Sequence, residues 1–117
     1  QQNLIGVANT TGDYNGVGIT YTSANAGNNP ATSNILNNTF SAIAGYSVLV
    51  AGGATESQNK RGTIGRNIIT GGDLDGIRVS ATNASFVITR NSISGNAGLG
   101  INLVGPLDVS PNVTLND

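Results

Sequence analysis

Hydrophobic positions along the chain recur in pairs separated by one residue: Ile19 and Tyr21, Val48 and Val50, Ile77 and Val79, Ile101 and Leu103. A small residue precedes each pair, at Gly18, Ser47, Gly76 and Gly100. Alternation with a period of two predicts four short strands whose paired apolar residues face inward, leaving Thr20, Leu49, Arg78 and Asn102 as an outward row. Ten residues before the first member of each pair stands an asparagine, Asn9, Asn38, Asn67 or Asn91, at successive spacings of 29, 29 and 24 residues. Three residues before these asparagines come Ile35, Ile64 and Ile88, with Gly6 as a weak counterpart in the first repeat. Two residues after them come Phe40, Ile69 and Ile93, with Thr11 in the first repeat. Inward positions on both sides of the asparagine break strict alternation, so a bend falls just before it. Three strand faces joined by bends, repeated every 24 to 29 residues, predict an all-β single-stranded parallel β-helix, a solenoid of about four coils.

The asparagines then have a structural task. A bend leaves backbone groups short of partners, and an amide side chain turned into it can supply them. Stacked coils lie about 4.8 Å apart, close enough for each amide to bond the next, so Asn9, Asn38, Asn67 and Asn91 are expected to form a buried ladder. The shorter final spacing places extra residues in the two earlier coils, within 23–32 and 52–61, both polar and rich in turn formers. Such insertions are expected to protrude from one edge.

Composition narrows the class. A chain of 117 residues holds one domain, read as 1–117 with an irregular tail at 105–117. Charged residues make up 9%, yet β-branched residues recur in phase, which favours order over disorder. A net charge of −1 lacks the basic footprint of a nucleic-acid binder, and no apolar run reaches membrane-span length. The chain has no Cys, so no disulfide framework is expected. It has no His either, which removes a histidine general base.

The segment Ile88-Thr89-Arg90-Asn91-Ser92-Ile93-Ser94-Gly95-Asn96, followed by Gly98-Leu99-Gly100-Ile101-Asn102-Leu103, resembles the parallel β-helix repeat of the pectin-lyase-like superfamily. Ile64-Gly65-Arg66-Asn67-Ile68-Ile69 repeats the pattern, and the likeness extends over about residues 4–104. In particular the chain resembles the copies in large bacterial surface and secreted proteins. That resemblance implies a right-handed coil, in line with the general hand of parallel crossovers, and an extracellular or cell-surface location. It also implies two functional alternatives: a structural stalk, or a polysaccharide lyase, hydrolase or glycan-binding module.

The candidate chemistry is thin. Asp73, Asp75 and Arg78 form the nearest approach to a catalytic or calcium-binding group. Neighbouring coils offer no matching acids, and a turn acid beside a surface arginine is the preferred account of them. Arg66 and Arg90 each precede a ladder asparagine and are expected to stack outward, with Asn37 beneath. Together with Arg78 they are candidates for contact with an acidic glycan or a neighbouring subunit. Lys60 and Arg61 with Glu56 read as an exposed loop tip, and Tyr14 and Tyr46 as bend residues able to pack over a turn or stack on a sugar.

The expectation is therefore a non-catalytic extracellular β-solenoid without metal or cofactor. Its expected core is Ile19, Tyr21, Ile35, Phe40, Val48, Val50, Ile64, Ile69, Ile77, Val79, Ile88, Ile93, Ile101 and Leu103. Solenoids need capped ends, and neither end of this sequence carries an amphipathic helix or polar cap. The expected partners are thus copies of itself or adjoining coils, with surface glycans as further candidates, as in an adhesin stalk or filament subunit.

Overall fold

The computed structural model describes residues 4–5, 19–22, 32–51, 60–80, 84–104, 112–114 and 116–117. Among them there are strands and no helix. Every third strand joins the same sheet, giving three parallel four-stranded sheets stacked in the manner of a β-helix. The first contains β1 (Leu4–Ile5), β4 (Thr39–Ser41), β7 (Ile68–Thr70) and β10 (Ser92–Ser94). The second contains β2 (Ile19–Thr22), β5 (Val48–Ala51), β8 (Ile77–Ser80) and β11 (Ile101–Leu103). The third contains β3 (Thr32–Leu36), β6 (Lys60–Gly65), β9 (Ala84–Thr89) and β12 (Asn112–Thr114).

The apolar pairs set the register of the second sheet as their spacing predicts. Ile19 lies beside Val48, Val48 beside Ile77 and Ile77 beside Ile101, with Tyr21, Val50, Val79 and Leu103 following in step. Ile35, Ile64 and Ile88 align in the third sheet, and Phe40, Ile69 and Ile93 in the first. A parallel stack can bury these rows only by placing like next to like, because a slip of one residue would turn each row outward. The extra residues of the longer coil also fall where expected, with 52–59 between β5 and β6 against 81–83 between β8 and β9. Apart from Thr32, Lys60 and Arg61, the two predicted insertions lie outside the described residues. Lys60 and Arg61 belong to the start of β6, beside Ala84 and Ser85, and not to a loop tip.

Three expectations need correction. In the first sheet Ile5, not Thr11, stands beside Phe40. Asn38 lies two residues before Phe40, and two residues before Ile5 the sequence has Asn3; Asn9 lies outside the described residues. Second, residues 112–114 form β12 in register with β9, Val113 beside Ile88, where an irregular tail was expected. The short run Val113-Thr114 carries too little periodicity to announce a strand without the neighbour that it pairs with.

Third, the expected core thins out toward β11, while the burial of Ile19 and Tyr21 lies outside the described residues. Phe40, Val48, Val50, Ile64, Ile69, Ile77, Val79 and Ile88 are fully buried, and Ile35 nearly so. Ile93 and Ile101 are only partly buried, and Leu103 remains 40% exposed, since no described coil covers this end. Two core residues lie outside the predicted rows. Phe86 is buried beside Gly62 in the register, a large residue next to one without a side chain. Ile43 is buried in the turn between β4 and β5.

Ile69→Ala should therefore cost about 2–5 kcal/mol of stability, as large-to-small core changes do. Leu103→Ala should cost about 1 kcal/mol or less, in proportion to its smaller burial. Urea denaturation monitored by far-ultraviolet circular dichroism compares the two, and equal losses would contradict the placement of the core.

Candidate functional site

Among the described residues two bends of the coil use left-handed backbone. Asn37, Arg66 and Arg90 follow β3, β6 and β9 with φ of 56°, 54° and 56°. Ala42, Gly71 and Gly95 follow β4, β7 and β10 with φ of 54°, 66° and 64°. At the second bend glycine meets this demand without steric cost in two coils out of three. At the first bend no described coil uses glycine, and only Asn37 is a residue type that tolerates the conformation well.

The first bend is where the asparagine ladder forms. Turning the peptide there removes the in-line carbonyl that the next N–H would have met, and the side-chain oxygen of the following coil takes its place. Asn67 Oδ1 accepts from the Asn38 N–H at 2.9 Å and from Asn38 Nδ2 at 3.1 Å. Asn91 Oδ1 accepts from the Asn67 N–H at 3.0 Å and from Asn67 Nδ2 at 2.9 Å. Each Nδ2 also donates back across the bend, Asn67 to the Ile35 carbonyl at 2.9 Å and Asn91 to that of Ile64 at 3.0 Å. Asn38, Asn67 and Asn91 are all buried.

A further rung, missed in the sequence, extends the ladder. Asn116 Oδ1 accepts from the Asn91 N–H at 3.0 Å and Asn91 Nδ2 at 2.9 Å, and Asn116 Nδ2 donates to Ile88 O at 3.0 Å. Asp117 continues the first sheet, its N–H donating to Asn91 O and its carbonyl accepting from the Ile93 N–H. The signal that could have found this rung is the 25-residue step from Asn91 to Asn116, close to the 24 before it.

On the second sheet, three coils meet at Asp75, which is 8% exposed. Its Oδ1 accepts from the Leu99 N–H at 2.9 Å, and its Oδ2 from Asn102 Nδ2 at 2.8 Å. Arg78 Nη1 lies 3.3 Å from the same Oδ2, and its guanidinium sits 5.0 Å above the Tyr46 ring. Burial pushes the Asp75 carboxyl up, but hydrogen bonds from Asn102, Leu99 and Arg78, with the Arg78 charge, outweigh it and leave the pKa below its ordinary value. The carboxylate is thus committed to fastening one coil to the next. A Cβ on Gly98 would come within 2.5 Å of Asp75 Oδ1 and 2.7 Å of its backbone nitrogen, so glycine lets the coils close here. Asp73 is exposed and donates its N–H to the Ile43 carbonyl. Among the described residues no group of three potential metal-ligating side chains converges.

The three candidate arginines therefore separate. Arg78 is engaged by Asp75 and Tyr46 on the second sheet. Arg66 and Arg90 are exposed at the first bend and together line an open cleft of about 270 Å³ on the third sheet. Asn34, Leu36, Thr63, Gly65 and Thr89 complete its wall. The Leu36 side chain lies close over Gly65, where an added Cβ would come within 3.3 Å of it. Among the described residues neither Arg66 nor Arg90 has an acidic partner. Tyr14 lies outside the described residues. No protein-family model, curated protein or solved structure matches the chain.

Asn67→Ala removes the acceptor of two buried donors on Asn38 and the donor to Ile35. A buried polar group left unpaired costs about 1–3 kcal/mol, so the loss should reach about 2–5 kcal/mol in a urea titration. A loss below about 1 kcal/mol would contradict the ladder's contribution. The Asp75 clasp gives a separate pH signature. A carboxyl with a depressed folded pKa stabilises above its unfolded pKa of about 3.9 and loses that contribution as pH falls through the folded value. The stability gap between wild type and Asp75→Asn should therefore be full at pH 6 and shrink below about pH 4. Thermal denaturation across pH 2.5–7 measures it, and a gap independent of pH would contradict the clasp.

Proposed function

We propose that the chain is part of a non-catalytic, extracellular β-solenoid that acts as an adhesin stalk or filament subunit and associates end to end through its coils. In this reading the three sheets form a right-handed single-stranded parallel β-helix of about four coils, of the pectin-lyase-like type that the repeat resembles. The observation that carries it is the ladder running from Asn38 to Asn116. Each rung accepts from the coil before it, Asn116 included, while Asn116 Nδ2 donates to the Ile88 and Thr114 carbonyls.

The coil at this end also favours stacking. Leu99 is 58% exposed and Leu103 40%, and Leu103 belongs to a row whose previous members, Val50 and Val79, are fully buried. A coil laid in register over β11 would bury it in the same way and pair the strand's outer backbone groups. Such a contact joins two different surfaces and need not close into a ring, which suits a filament. The engagement of Asp75 by Leu99, Asn102 and Arg78 speaks for a holding role for this acid, the one buried among the described residues. The second reading, a glycan-binding or polysaccharide-processing module, draws its support from the cleft at Arg66 and Arg90.

Sedimentation velocity over a hundredfold range of concentration, with negative-stain microscopy of the same samples, tests the first reading. Wild type should show mass rising with concentration and linear particles, whereas Leu103→Lys, with a charge on the stacking row, should remain monomeric. A wild-type protein that stays monomeric throughout would refute end-to-end association.

A further inference from the structure

At the β11 end of the stack the first sheet differs from the other two. β11 and β12 stand at the edges of their sheets, with no described strand beyond them. Beyond β10, in contrast, Asn116 and Asp117 already lie in place. Asp117 donates its N–H to the Asn91 carbonyl, as Ser92 does to Asn67 and Ile68 to Asn38. It therefore holds the place in its coil that Ser92 and Ile68 hold in theirs. At the opposite end that place belongs to Leu4, because Leu4 stands beside Thr39, Thr39 beside Ile68 and Ile68 beside Ser92. Leu4 and Asp117 are thus equivalent positions, and so, one residue earlier in the sequence, are Asn3 and Asn116.

This equivalence creates a conflict for a second copy laid in register on the end face. Such a copy would set its β2 over β11 and its β3 over β12. Its β1 would then fall on the layer of the first sheet that Asn116 and Asp117 occupy, and one segment has to yield. β1 is the weaker holder: it is two residues long and pairs with β4 alone. Asn116 is fastened to both donors of Asn91 and to the Ile88 carbonyl, at 2.9 to 3.0 Å. Residues 6–18 separate β1 from β2, against 42–47 between β4 and β5, so β1 has chain length enough to leave without drawing β2 with it.

The Asn116 amide also carries a stand-in bond. Asn38, Asn67 and Asn91 each donate from Nδ2 to the Oδ1 of the next rung. Asn116 Nδ2 instead donates at 3.1 Å to the Thr114 carbonyl, two residues back in its own coil. We infer that copies join by strand exchange, with Asn116 and Asp117 of one copy taking the places of Asn3 and Leu4 in the next. Asp117 then lies beside Thr39 of the second copy, and Asn116 releases Thr114 to donate to Asn38 Oδ1 of that copy. The ladder runs unbroken across the junction, which is a swap of equivalent elements between identical chains. The inference rests on the end-to-end reading and names the segments that make the contact.

The chain has no cysteine, so introduced pairs report the junction without background. Asp117→Cys combined with Thr39→Cys would set the two Cα atoms of neighbouring copies about 4.8 Å apart, within the span of about 4.4–6.8 Å that a disulfide bridges. Inside one copy the same residues are three coils apart, about 14 Å, and cannot be bridged. Mild oxidation, at a concentration where wild type associates in sedimentation velocity, should give disulfide-linked dimers, trimers and longer species on a non-reducing gel. Leu4→Cys combined with Ser92→Cys, a pair that meets only if β1 keeps its place over β10, should give none. Both double variants, kept reduced, should melt and sediment as wild type does. Asn116→Ala should weaken association about tenfold or more, the scale of one lost hydrogen bond. Linked species from the Leu4 and Ser92 pair would overturn the exchange and leave end-to-end association standing. The exchange is equally overturned if wild type associates but neither pair links, or if Asn116→Ala associates as tightly as wild type. A wild type that stays monomeric overturns the end-to-end reading and the exchange with it.

Discussion

Everything in the stack depends on one constraint: each residue stands beside its own counterpart one coil away, at about 4.8 Å. Apolar residues satisfy this without difficulty, which is why Ile64 can follow Ile35 and Ile88 can follow Ile64. Buried polar residues cannot do so unless they carry both donor and acceptor. Asparagine does, and its amide is short enough to reach the backbone at the bend as well. Asn67 accordingly gives and receives along the stack while also holding the Ile35 carbonyl. An aspartate row in its place would set carboxylate against carboxylate, and a serine row would not span the same bonds.

The same constraint explains why acidic and basic residues behave as they do. Asp75 is tolerated in a buried position because its counterparts differ from it: Leu99 supplies a backbone N–H and Tyr46 an aromatic face for the arginine that accompanies it. Ser47 and Gly76 precede the inward strands because the neighbouring coil approaches closely; a Cβ on Gly76 would come within 2.8 Å of the Gly100 carbonyl. Small residues at that point are thus a condition of coil spacing and not of turn conformation, since neither has a left-handed backbone.

Much of this architecture was legible in the sequence, for a physical reason. A stacked coil writes its register as repetition, so Ile77 and Val79 announced both a strand and its neighbours. The ladder at Asn38, Asn67 and Asn91 was legible on the same ground, and so was the bend before it. What escaped was whatever does not repeat. Phe86 faces Gly62, so the row has no common residue type to reveal it. Ile5 replaces Thr11 because the first coil departs from the 29-residue spacing, and pairing decides the matter where counting cannot. Of the candidate site, the separation of Arg78 from Arg66 and Arg90 could not be read from spacing. It rests on the Asp75 clasp, a contact between residues whose side chains share no repeat.

The ladder bonds between asparagines join residues 24 to 29 positions apart, and none skips a coil. A protein connected in this way has no single keystone: each coil is held by the one before and the one after. Folding can then proceed as crystal growth does, with an existing layer serving as the template for the next, and unfolding can proceed by fraying from a face. Among the described residues, the layer with the half-buried Ile101 and the Asn116 rung is held from one side only. Its life on the folded stack sets how long the layers beneath it stay covered.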